Sequence, residues 1–97
     1  MKLISIDHVM PMLVDACPSF RKLYDGLNEV HKPASPEILM DDFADHVFGL
    51  LENGKTKEFH SIFLVIEEVK LNGDDRAKSL IRDCFFGEID SIMDKKV

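Results

Sequence analysis

The chain has 97 residues, 45% of them hydrophobic and 31% charged, enough for one modest core without disulfide or metal staples and too few for two. Its formal charge is −6, from 18 acidic against 12 basic side chains. That balance argues against nucleic acid and anionic membrane surfaces, which are held mainly by cations, and leaves basic proteins open as partners.

The opening stretch Met1-Lys2-Leu3-Ile4-Ser5-Ile6-Asp7 meets an acid before an export signal's apolar run is complete. No later run is long enough to span a bilayer. Cys17 and Cys84 each stand alone in an apolar pattern, as free thiols do in a reducing compartment. The expectation is a cytoplasmic protein.

Ser5 is expected to cap a first helix reaching Cys17, with Val9, Met10, Leu13, Val14 and Cys17 on one side. Pro11 either kinks this helix or marks its true start. Pro18 ends it, and Ser19 opens a second helix whose stripe is Phe20, Leu23, Tyr24 and Leu27. His31-Lys32-Pro33-Ala34 reads as a loop.

Ser35-Pro36-Glu37 is a helix start, with capping hydroxyl, first-turn proline and an acid at the positive end of the dipole. The third helix carries Leu39, Met40, Phe43, Ala44, Val47, Leu50 and Leu51 inward and stops at Asn53-Gly54. Thr56 is the expected cap of a fourth helix, with Phe59, Ile62, Phe63, Ile66 and Val69 at helical spacing. Leu64, Val65 and Leu71 widen its apolar surface, which predicts the most buried helix of the set.

Asn72-Gly73 ends that helix, and Asp74 or Asp75 caps the last, where Gly87 either bends the helix or divides it. The two Asn-Gly turns stand 19 residues apart, a weak internal echo. The predicted fold is an all-α single domain over 1–97, a small bundle of about five helices. Its last three are expected to stack as consecutive antiparallel hairpins, HEAT-like in part. No alternating run supports a strand.

Catalytic and metal-binding patterns are scarce. His8, His31, His46 and His60 are too far apart to converge locally, and Asp42 with His46, one turn apart, is the best local metal pair. That spacing is common on solvated helices, so no metal and no cofactor is expected. Both cysteines sit where burial suppresses thiolate chemistry. The five glycines are isolated and make no phosphate loop. Adjacent acids such as Glu67-Glu68 and Asp74-Asp75 point about 100° apart on a helix and share no site. The chain is read as a non-enzyme.

One feature stands out. Between Pro33 and Gly54 there is no lysine or arginine, while Glu37, Asp41, Asp42, Asp45 and Glu52 give that segment a charge of −5. Asp41, Asp45 and Glu52, with Asp42 and Gly49 beside them, are expected opposite Phe43, Val47 and Leu51, with Glu37 and His46 at the rim. Such a face either keeps the protein soluble or steers a cationic partner.

The stretch Phe43-Ala44-Asp45-His46-Val47-Phe48-Gly49-Leu50-Leu51-Glu52-Asn53-Gly54 continues through Phe59, Ile62-Phe63, Ile66-Glu67-Glu68 and Asn72-Gly73-Asp74. It resembles a family of small bacterial helical domains of unknown function, as does the proline-closed opening helix Val9 to Pro18. Small acidic helical proteins of this look recur among bacterial toxin-immunity proteins. The resemblance implies a helical fold and carries over no catalytic residue. The leading expectation is an immunity-type protein that occludes a basic toxin domain, such as a nuclease, through the acidic face. The alternative is a helical adaptor with an exposed Leu, Phe or Met groove near Phe85 and Phe86.

Overall fold

Six short helical segments, a 3₁₀ turn and a π-helical stretch account for most of the residues described by the computed structural model, 3–96 with the side chains of 95 and 96 excepted. Met1 and Lys2, the start of the stretch read for an export signal, lie outside these residues.

Helix α1 (Ile6–Ala16) starts after Ser5, but the Ser5 hydroxyl bonds the His8 ring at 2.9 Å rather than a backbone N–H. Pro11 lies inside the helix. It denies one hydrogen bond to the Asp7 carbonyl, and Asp7 is exposed, so water can satisfy that oxygen. Val9, Met10, Leu13, Val14 and Cys17 are all buried, as their spacing predicts. A 3₁₀ turn (Pro18–Phe20) leads into α2 (Arg21–His31), which has no buried residue. Leu23, expected inward, is exposed, while Tyr24 and Leu27 are half-buried.

Helix α3 (Pro36–Glu52) begins as its sequence predicts: Ser35 Oγ accepts from the Ile38 N–H at 3.3 Å and Pro36 occupies the first turn. Its terminating Gly54 has φ of 69°, the left-handed conformation glycine adopts without strain. Helix α4 (Phe59–Asn72) starts three residues after Thr56, with Glu58 in the capping position. Ile62, Ile66 and Val69 are buried, whereas Phe63, Leu64 and Leu71 are exposed. The helix is apolar nearly all round but buries only one stripe, so it is not the deeply enclosed element its composition predicts.

The last three segments run without a break: α5 (Asp75–Ser79), the π-helical stretch (Leu80–Phe86) and α6 (Gly87–Lys96). Asp74 caps α5, its Oδ1 accepting from Ala77 N–H at 2.8 Å. Gly87 keeps helical angles, φ −60° and ψ −43°, and stands where the π-helix returns to α. It divides nothing. Counted as continuous rods, these are five helices, with no strand among the described residues.

Packing follows from where the apolar stripes point. Helix α3 lies against the π-helical stretch, α6 and α1; α4 lies against α1, α5 and the π-helical stretch. The turn between α4 and α5 is pinned by the chain's start, since Ile4 N–H donates to the Asn72 carbonyl and its own carbonyl accepts from Asp74 N–H, both at 2.8 Å. The buried side chains form one cluster. Phe20 and Phe43 meet edge-to-face at 5.2 Å, and Phe43 reaches Phe85 at 5.9 Å. Each such ring contributes through removal of its area from water, on the order of 1.5–3 kcal/mol.

Candidate interaction site

Helical geometry separates the third helix's polar residues into two groups. At 100° per residue, Glu37, Asp41, Asp45 and Glu52 fall within about 80° of arc. All four are exposed. Three ion pairs form among the described residues, Arg21–Asp15, Lys70–Glu67 and Arg82–Asp83. None of them involves Glu37, Asp41, Asp42 or Asp45. The consequence is visible at Asp41, whose carboxyl is pushed above its ordinary range by partial burial, then by the carboxylates of Asp42, Asp45 and Glu37. Among the described residues no ion pair at Asp41 offsets that repulsion.

Asp42 and His46 face elsewhere. Asp42 is half-buried and, with Asp45 and His46, borders a shallow hollow against Leu23 and Leu27 of α2. His46 lies nine residues from Glu37, about half a turn round the helix. It therefore leaves the acidic rim and turns inward. Its ring stands 5.5 Å from Phe20, and its Nε2 is 2.8 Å from Ser19 Oγ.

That contact belongs to a polar network of residues distant in sequence. The Ser19 hydroxyl donates to Glu58 Oε1 at 2.6 Å, and the Ser19 N–H donates to Glu58 Oε2 at 3.1 Å. Having one proton, already given to Glu58, the hydroxyl must accept from His46, which fixes the proton of the neutral imidazole on Nε2. Burial lowers the His46 pKa, against a smaller upward pull from Glu58. Burial alone would raise Glu58, but the two Ser19 hydrogen bonds, with smaller help from Cys17 and His46, together hold the carboxyl below its usual range. Cys17 Sγ lies 3.5 Å from Ser19 Oγ, and burial pushes its thiol up.

Serine, histidine and glutamate meet here in an order unlike a nucleophilic triad. A general base accepts the serine proton and is itself oriented by an acid. In this arrangement the serine donates to the acid and the imidazole donates to the serine, so the histidine is not placed to activate it. The network ties the 3₁₀ turn to α3 and to the start of α4. Sequence reasoning gave no hint of it, because Ser19 and Glu58 stand 39 residues apart.

A second surface lies at the far end of α3. Val47, Phe48 and Leu51 of α3, Phe59 and Phe63 of α4, and side chains of the π-helical stretch and α6 enclose a groove of about 140 Å³ with no polar residue in its lining. Leu51 is 54% exposed, Met93 52%, Phe63 44% and Phe86 39%. Leu51 was expected to pack inward with Phe43 and Val47. It comes at the last turn of α3, where its helix face has run past the core and opens onto the groove. Phe85, by contrast, is buried beneath its neighbour Phe86, the two rings edge-to-face at 5.1 Å.

Among the described residues no helix is long and apolar enough to cross a membrane, and no group of three potential metal ligands converges. An all-helical bundle with an acidic face on α3, an apolar groove and a polar network defines the class of molecule. The chain belongs to the family described as Domain of unknown function (DUF7674), whose model matches residues 10–97. No curated protein and no solved structure matches it. The family match gives kinship without an activity.

Proposed function

We propose that this chain is an immunity-type protein of the bacterial cytoplasm, which binds a cognate toxin domain and occludes its active site with the acidic face of α3. The observation that supports this reading is the row Glu37, Asp41 and Asp45: exposed carboxylates on one rigid helix, unmatched by any cation among the described residues. A single-signed row of this kind raises the rate at which a cationic surface is captured and aligns it on arrival. A nuclease cleft is such a surface, built to hold phosphates, and the row of carboxylates offers it a substitute for them. Glu52 lies on the same face about two turns further on. His46 ties the helix to Ser19 and Phe20 from behind, and Asp42 borders the hollow against α2.

The test is co-purification with a basic toxin domain encoded beside this chain, followed by kinetics on an Asp41→Asn/Asp45→Asn variant. Exposed charges act over roughly a Debye length, ~10 Å at 0.1 M salt. Association with the wild type is therefore expected to slow as salt rises, and the variant to start slower and respond less. Equal rates for the two proteins at every salt concentration would overturn the proposal.

A further inference from the structure

We infer that the groove between α3, α4 and α6 is the anchor point for a partner's amphipathic helix, which seats one bulky apolar side chain there and runs its basic side chains along Asp41 and Asp45. This deepens the reading of α3 as a docking face and rests on it.

Three observations combine. The acidic row and the groove are continuous, because Phe48 lines the groove and stands three residues after Asp45, a neighbouring position on a helix surface. The groove's volume of about 140 Å³ suits a single large side chain; an apolar cavity of ~150 Å³ accepts a benzene ring. Its lining offers no hydrogen-bond partner, and the described residues present no strand edge. A segment entering it must satisfy its own backbone, which a helix does and an extended peptide does not.

Charge then sets the direction in which the helix lies. Beyond Phe86, Lys70, Lys78 and Arg82 line a second hollow, where Lys70 and Arg82 are already paired with Glu67 and Asp83. A partner helix is drawn with its basic residues toward Asp41 and Asp45, because the second hollow has no carboxylate in its lining to attract them. The anchor is read by shape and its flanks by sign, so a helix with only one of the two features binds poorly.

The experiment uses the whole protein and a synthetic amphipathic helix of leucine and lysine, with one tryptophan at the centre of its apolar stripe. Binding is followed by tryptophan emission, which shifts blue when the ring leaves water. The wild type is expected to bind with a blue shift. A Leu51→Asn/Met93→Asn variant, altered only at exposed positions, is expected to lose affinity about tenfold or more. The Asp41→Asn/Asp45→Asn variant should bind more slowly but keep the blue shift, and a glutamate version of the peptide should not bind.

No binding of the lysine peptide, or equal affinity for the groove variant, overturns the inference. So does sedimentation showing that the wild type dimerises through Leu51 and Met93, since a second copy then fills the groove. The two proposals fail separately. A toxin domain captured in a ridge-dependent manner but indifferent to Leu51 and Met93 removes the groove alone, and one indifferent to Asp41 and Asp45 removes the function.

Discussion

At the scale of single residues, Gly54 and Gly73 show how one dipeptide serves two physical ends. Both follow an asparagine and both end a helix, yet only Gly54 needs a positive φ. Gly73 is extended, φ −76°, and is required for space: a Cβ there would lie 2.5 Å from the Val69 carbonyl oxygen and 3.1 Å from Ala77 Cβ. Gly73→Ala is expected to cost ~1–3 kcal/mol in denaturant unfolding, the usual penalty of overpacking. Gly54→Ala should also destabilise, through strain at φ 69° rather than a clash. The sequence shows that both stop helices, while the reason at Gly73 depends on a backbone approach it does not encode locally.

The Ser19 network makes a second residue-level prediction. Ser19→Ala removes the protein partner of the His46 Nε2–H and of one Glu58 oxygen at a partly exposed site, and is expected to cost ~0.5–1.5 kcal/mol. The sign of the pH dependence follows from the shifts. His46 has its folded pKa below the ordinary 6.5, so its contribution is complete above that value and is lost as pH falls through the folded pKa. Glu58 has its folded pKa below the ordinary 4.5, so its contribution is lost at lower pH still. Unfolding free energy measured across the acid range should fall in two stages. Ser19→Ala should diminish the lower stage, since its hydroxyl helps hold Glu58 down, and leave the upper stage, set by burial of His46, in place.

At the scale of elements, α3 is legible because its signals are local. Ser35, Pro36 and the stripe through Phe43 and Val47 state its start, its face and its length. The acidic row costs it stability, since like charges one turn apart repel by ~0.2–0.5 kcal/mol per pair. The raised Asp41 pKa reports the same sign: the folded protein binds the proton more tightly than the unfolded chain, so ionisation at neutral pH works against folding. Asp41→Asn is therefore expected to raise the melting temperature slightly at pH 7 and low salt, with the gain shrinking as salt is added. A lower melting temperature for this variant would mean that the carboxylate has a stabilising partner.

Helices α2 and α4 were less legible, for a related reason. Their apolar residues exceed the area the bundle can cover. Leu23, Phe63, Leu64 and Leu71 continue a pattern that periodicity assigns inward, but only one stripe of α4 meets α1, α5 and the π-helical stretch. Periodicity gives a helix its candidate faces; the number of neighbours decides how many are used. Substituting Leu71, 72% exposed, by Lys should leave unfolding free energy within about 0.5 kcal/mol of the wild type, whereas Ile66→Ala should cost ~2–5 kcal/mol.

Across the whole molecule, a chain of rings runs from His46 through Phe20, Phe43 and Phe85 to Phe86, with successive centroids 5.1–5.9 Å apart. It joins the polar network at one end to the apolar groove at the other and packs α3 against the 3₁₀ turn and the π-helical stretch. For the proposed docking role such packing is favourable, because a face fixed before contact spends little ordering entropy on binding. The all-helical architecture could be read from caps, glycines and spacing. The acidic row could be read from the missing lysines and arginines of one segment, although His46 and Asp42 turned away from it. The groove was foreshadowed only near Phe85 and Phe86, since it needs α3, α4 and α6 brought together.

The most direct trial of the central claim, that unpaired carboxylates on α3 capture a cationic protein surface, is the association rate with the co-purified basic domain. It should be measured against ionic strength for the wild type and for Asp41→Asn/Asp45→Asn. We expect a rate that falls with rising salt for the wild type and a lower, flatter dependence for the variant. Two superimposed curves would contradict it.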